Sequence, residues 1–148
     1  MISKIQVDLS KLDYKFLTKP LLVGGMAMEF YNLRKSGKDI DLIVTTEDYL
    51  GLAKRYSSYK RDLGSDLGVT IYNFEIWKCI HKFHYEFFSQ GAIENEEVRV
   101  IHLNKLLFMK TLAIDIEKYE KDVRLIIQKI LDIQYGKDKN YKPEFLLQ

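Results

Sequence analysis

The chain has 148 residues, 47% hydrophobic and 30% charged, with a formal net charge of +2; this excludes a disordered chain and predicts one domain, residues 1–148, around one core. So slight a positive balance also excludes a protein that coats nucleic acid through sequence-independent phosphate contacts. A lone cysteine, Cys79, excludes an intrachain disulfide, and the lack of a secretory apolar region or a run of ~18 apolar residues points to a soluble, cytoplasmic protein with no membrane partner.

In chain order, Leu21 to Val23 read as a short apolar strand closed by Gly24 and Gly25, and MAMEFYNL as a helix that weakens at RKSGK. DIDLIV, residues 39–44, is short and branched, as a buried strand should be. Thr45 or Thr46 then caps a helix through TEDYLGLAKRYSSY, with Glu47 and Asp48 at its positive end. RDLGSDLG reads as polar turn material, and GVTIYNFEIWK and CIHKFHYEFF as a pair of strands or one long bent strand, followed by a turn around Gly91 to Glu97. VRVIHL is a further strand. Asn104 is the expected cap of a long helix, KLLFMKTLAIDIEKYEKDVRLIIQKILDIQ, with a break near Asp115 to Tyr119. From Tyr135 onward a looser tail is expected. The fold class is α+β, a short mixed sheet flanked by helices, with a core of about residues 1–102 and a C-terminal helical segment of about 103–134.

Asp39 and Asp41 raise the first chemical question. Residues i and i+2 of a strand face one side with Cα atoms ~6.5 to 7 Å apart, so the two carboxylates project together. Like charges side by side need a compensating cation or hydrogen bonds, and for hard oxygen ligands the usual cation is Mg²⁺ or Mn²⁺. The spacing equally suits an ordinary strand end, one acid capping the next turn and the other meeting Lys35 or Lys38 in solvent. Gly24 and Gly25 suit either a tight turn or a close backbone approach to phosphate at a helix start. A phosphate cradle followed one helix later by an acidic pair is what metal-bound triphosphate chemistry requires.

The succession of an apolar strand, GG, a helix and then RKSGKDIDLIV resembles the nucleotidyltransferase (polymerase-beta-like) superfamily. Within it, RKSGKDIDLIV is similar to the branch of AbiEii-type toxin nucleotidyltransferases and minimal nucleotidyltransferases. The resemblance runs from about Leu21 to Ile133, with its specific motifs concentrated in residues 21–44. It implies the nucleotidyltransferase fold and a Mg²⁺- or Mn²⁺-dependent transfer of a nucleoside monophosphate from an NTP to a hydroxyl of RNA, protein or a small molecule. It also implies a setting such as a toxin–antitoxin or phage-defence system, with a cognate toxin or antitoxin as partner. By the same resemblance Asp39 and Asp41 bind metal, a third acid on a later strand completes the site, and Gly24 and Gly25 cradle phosphate.

Glu75 in TIYNFEIWK is the candidate third acid, as metal ligand or general base. Alternation sets Asn73, Glu75 and Trp77 opposite Tyr72, Phe74 and Ile76, which also fits a solvent-facing Glu75. Lys110 falls in the apolar stripe of Leu103, Leu106, Leu107 and Ala113 or Ile114, where it either snorkels to water or meets an anion. The resemblance implies a phosphate-facing lysine here, followed by an R-x-K-D-x-x-D element. EKYEKDVRLII departs from that element: it keeps Lys121 and Asp122, lacks the Arg at the usual place and has Leu125 at the second acid. Asp122 remains a nucleotide-pocket candidate. Arg34, Lys35 and Lys38 form either a solvated turn or a group that neutralises triphosphate or an RNA acceptor, Lys38 being the one carried into the site. Cys79 and His81 fall on one strand face and His84 on the other, against a zinc site. The departure at 119–125 also admits an inactive nucleotidyltransferase-like module that binds a partner protein or nucleic acid.

Overall fold

Leu21–Val23, apolar and wholly enclosed, forms strand β1 in the computed structural model, which describes residues 5–147. Helix α1, Gly24–Phe30, begins at the first glycine itself, so both glycines lie in its opening turn. Strand β2 is Ile40–Ile43, which leaves Asp39 just before it and Asp41 within it. Helix α2, Thr46–Arg55, is capped by the Thr45 side chain, which accepts from the Asp48 N–H at 3.2 Å. Asp48, expected only to complement the helix's positive end, is fully buried and accepts from Tyr14 Oη and from the Leu17 and Thr18 N–H groups at 2.7–3.1 Å. It thereby fastens the segment before β1 to α2.

The middle of the chain is more finely folded than its composition suggests. Strands β3 (Lys60–Leu63) and β4 (Asp66–Ile71) make a hairpin out of the expected polar turn. Gly64 and Ser65 carry the reversal at φ 63° and 83°, and Asp62 accepts from the Ser65 N–H. A second reversal at Tyr72, φ 55°, separates β4 from β5 (Phe74–Trp77), so Tyr72 is 60% exposed and does not share the buried face of Phe74. Strands β6 (Cys79–Ile80) and β7 (Phe83–His84) form a small separate hairpin, with His81 and Lys82 at its left-handed tip donating both N–H groups to Asp66.

YEFF, expected as strand, is helix α3, Tyr85–Phe88. Its Phe87 and Phe88 rings join Phe83 and Phe108 in a cluster with centroids 4.8–6.5 Å apart, so aromatic packing overrides local β preference. Strands β8 (Ile93–Glu94) and β9 (Arg99–Val100) follow. The long C-terminal helix does break where expected, into α4 (Leu103–Thr111) and α5 (Glu117–Gln134). Its cap is His102 rather than Asn104: His102 Nδ1 accepts from the Asn104 N–H. The tail is not loose. A 3₁₀ turn at Pro143–Leu147 docks through Asn104 Nδ2 on the Leu146 carbonyl and His102 Nε2 on the Phe145 carbonyl, each 2.8 Å, while Tyr141 and Phe145 pack against the buried Tyr31.

The architecture is α+β. Seven strands form one mixed sheet in the order β3-β4-β5-β2-β1-β9-β8, with β2 parallel to β5, β1 parallel to β9 and the other pairs antiparallel. Helix α1 packs on β1 and β2, α2 on β4, and α4 on α5. No helix among the described residues is long and apolar enough to cross a membrane. One register row carries the site: Val23 lies opposite Asp41, Asp41 beside Glu75, and Glu75 opposite Thr70.

Candidate functional site

Sheet register brings Asp41 and Glu75 side by side, because β2 and β5 are parallel neighbours and cross-strand partners share a face. Asp39, at the entry to β2, stands with them. A cleft of about 420 Å³ is lined by all three acids together with Gly24, Gly25, Lys38 and Lys110. Arg34 lines it too, whereas Lys35 and Asp122 do not; Asp122 reaches the cleft only through its contact with Lys110. A larger groove of about 820 Å³, between residues 5–20 and 95–98, contains none of them.

The electrostatics record the crowding. Burial, then the charges of Asp41 and Asp39, push the Glu75 carboxyl up to about 7, with hydrogen bonding to the two aspartates adding to the rise. Asp41 is also raised: burial acts first, the bond to Glu75 opposes it, Asp39 adds repulsion, and Lys110 and Lys118 pull it down. Glu75 is therefore not an ordinary solvent-facing glutamate. Among the described residues, no group of three or more His, Cys, Asp and Glu is arranged ready to hold a metal ion. The carboxylates are neighbours, not a preformed cage.

The glycines differ in what requires them. Gly24 has φ +66°, and a Cβ there would lie 2.8 Å from Asp41 Cγ and collide with Oδ2, so glycine is demanded by the Asp41 side chain tucked against the turn. At Gly25 a Cβ would meet Arg34 Nη1 and Ser36 Cβ at 3.5 Å, ordinary contact. Glu29 draws that loop over α1 by accepting from the Ser36 N–H at 2.9 Å and from its hydroxyl at 3.1 Å.

Lys110 is 5% exposed, and its partner is Asp122 on α5, with Nζ 3.0 Å from Oδ2. Arg34 completes the group with a two-pronged contact to Asp122, Nε to Oδ1 at 2.7 Å and Nη2 to Oδ2 at 2.8 Å. Burial lowers Lys110 against the upward pull of Asp122. Burial would likewise raise Asp122, but the bonds from Arg34 and Lys110 outweigh it and hold the carboxyl below its ordinary value. Asp122 on α5 thus receives its arginine from the loop after α1, while Arg124 of α5 itself pairs with Glu120. Lys110 Nζ also lies 4.7 Å from the Tyr119 ring centroid, and Tyr119 lines the cleft.

Sequence reasoning assigned Tyr119, Lys118, Thr70 and Trp77 no role at the site. Lys118 and Tyr119 reach it because the α4–α5 break turns the start of α5 toward the cleft. Thr70 is Glu75's partner across β4 and β5, and its Oγ1 is buried with no hydrogen-bond partner among the described residues. Strand alternation around Glu75 could have flagged Trp77, whereas Thr70 required the hairpin register. Cys79 is a buried free thiol whose Sγ meets the Ser65 carbonyl and Asp66; its register partner is His84, while His81 sits at the hairpin tip, so the expected facing of the three does not hold because the chain turns between them. Comparison with protein-family models, curated proteins and solved structures gave no match.

Proposed function

We propose that this chain is a nucleotidyltransferase of the polymerase-beta-like type, transferring a nucleoside monophosphate from an NTP to a hydroxyl with the help of Mg²⁺ or Mn²⁺. The observation that carries this reading is the register of Asp41 with Glu75, beside Asp39 and facing the Gly24 turn, in one cleft. Three hard oxygen donors whose burial and mutual repulsion push Glu75 up to about 7 are a donor set that a hard divalent cation would suit, since its charge offsets both. Such a cation, when bound, neutralises triphosphate charge and makes the acceptor hydroxyl more acidic.

The chain's own residues divide the work. Asp39 and Asp41 would hold the cation. Glu75 completes its ligands or takes the acceptor proton on a carboxylate oxygen, as the acceptor oxygen bonds to the α-phosphorus and pyrophosphate leaves. The backbone at Gly24 and Gly25 faces the phosphates. Lys110, steadied by Asp122 and Arg34, and the exposed Lys38 offset their charge. Incubation with α-labelled NTPs, Mg²⁺ and RNA, protein or small-molecule acceptors tests this. Label transfer that disappears in Asp39→Ala/Asp41→Ala is expected, and transfer unchanged in that variant overturns the assignment.

The closed Arg34–Asp122–Lys110 group favours a second reading, in which Lys110 is committed to structure and the fold binds a partner protein or nucleic acid with little turnover. Calorimetry separates the two. Metal-dependent NTP binding lost in Asp39→Ala supports the enzyme, and no binding at millimolar NTP supports the module. An RNA or protein acceptor and a cognate toxin or antitoxin belong to the same proposal.

A further inference from the structure

We propose that the Trp77 indole is a stacking surface for a nucleobase, an inference that rests on the nucleotide-transfer reading above and gives that cleft its base-binding part. Trp77 is the chain's only tryptophan. It lies on β5 two residues beyond Glu75, so both side chains stand on one sheet face with Cα atoms ~6.5 to 7 Å apart. That spacing sets an aromatic ring beside the carboxylates, about the separation between a nucleotide's phosphates and its base.

The ring's position is built into the neighbouring strand. Across β4 and β5 the register partner of Trp77 is Gly68. A Cβ at Gly68 would lie 2.7 Å from Trp77 Cζ3 and nearer still to Cε3, so the indole occupies the space that any larger residue would fill. Glycine lets it lie down on β4 instead of standing off the sheet. Trp77 nevertheless remains partly exposed and lines the cleft with Leu63, Ile80 and Met109. Leu63 is 54% exposed, which leaves apolar surface open beside the ring. An indole backed by glycine on one side and, on the other, bordering the part of the charged cleft lined by Leu63, Ile80 and Met109 suits a flat heteroaromatic ring, because every base has a π-face to stack.

A ring that serves only to cover Gly68 would stabilise β4 and β5 without sensing any ligand. Because Trp77 is the single tryptophan, its emission reports on this position in the wild-type protein. The test titrates that emission with ATP, GTP, CTP and UTP plus Mg²⁺, with the corresponding nucleosides without metal, and with a short single-stranded RNA. Saturable quenching is expected. Quenching by mononucleotides assigns the stacked base to the donor, and quenching by RNA alone assigns it to the acceptor. Trp77→Leu should weaken calorimetric binding of the quenching ligand about five-fold or more, and Trp77→Phe should recover most of the loss. If Trp77→Leu fails to fold, the wild-type quenching and the Phe variant still decide.

Calorimetric binding of Mg·NTP with constant Trp77 emission and unchanged affinity in Trp77→Leu overturns the stacking surface and leaves the transfer reading intact. Nucleoside quenching that persists in an Asp39→Ala/Asp41→Ala variant with undiminished Mg·NTP affinity supports the stacking surface while the metal assignment falls. No binding of nucleotide, nucleoside or RNA to the wild type overturns both.

Discussion

Glu75 is the residue at which the charges of two strands meet, and its proton is the most sensitive indicator of the site. Its folded pKa of about 7 lies above the ordinary 4.5, so the folded protein holds that proton more tightly than the unfolded chain does. The resulting stability is fully present below pH about 4.5 and is lost as pH rises through about 7. In metal-free protein, Glu75→Gln should therefore raise the melting temperature at pH 8 and change it little at pH 4, as calorimetric melts at the two pH values will measure. An equal effect at both would contradict the crowding described above.

Gly24 and Gly25 make a second pair of residue-scale tests. Gly24→Ala puts a Cβ into the Asp41 carboxylate at φ +66° and should cost at least about 1–2 kcal/mol in chemical denaturation. Gly25→Ala meets only ordinary contacts and should leave stability within about 0.5 kcal/mol while reducing NTP affinity in calorimetry, if phosphate rests on that backbone. The D-x-D spacing and the glycine pair were legible in the sequence because both are local. The contact that makes Gly24 necessary was not, since it depends on Val23 pairing with Asp41 across the sheet.

At the scale of elements, the junction of α4, α5 and the loop after α1 is an ion group set in the interior, and its members depend on one another. Asp122→Ala strands Lys110 and Arg34 together and should destabilise by about 3–5 kcal/mol, measured by denaturant unfolding. Lys110→Met leaves Asp122 its bond to Arg34 and should cost clearly less. Similar losses for the two variants would contradict a junction organised by the carboxylate. Helical periodicity exposed the misplaced Lys110, but its partner Asp122 arrives from α5 and the bracing arginine lies 88 positions before Asp122, beyond any local pattern. The hairpins were only half legible for a different reason: the Gly64–Ser65 reversal read as a turn, but β3 beside it is charged and exposed, and the β4–β5 reversal falls on Tyr72, which holds left-handed backbone without being glycine. Helix α3 was missed because its conformation follows from rings gathered by Phe83 and Phe108.

For the whole molecule, a cation held by Asp39, Asp41 and Glu75 would link metal binding to stability. At 100 times its dissociation constant it adds about 2.7 kcal/mol, a rise of roughly 5–10 °C in melting temperature for a domain of this size. Mg²⁺ or Mn²⁺ should thus stabilise the wild type at pH 8 and leave Asp39→Ala/Asp41→Ala unchanged in the same thermal scan. The α+β architecture was legible from alternating apolar strands and amphipathic helices, and so was the break between the last two helices. The seven-strand order was not, because it places β5 beside β2 and β9 beside β1 through long-range pairing.

The central claim is that the β2–β5 carboxylates and the Gly24 turn form one site for a metal-bound nucleotide. A crystal soaked with Mn²⁺ and an NTP tests it most directly through anomalous scattering from manganese. The account predicts manganese bound by Asp39 and Asp41, with the triphosphate reaching the backbone at Gly24 and Gly25. Nucleotide bound elsewhere, or manganese absent from those aspartates at saturating concentration, would contradict it.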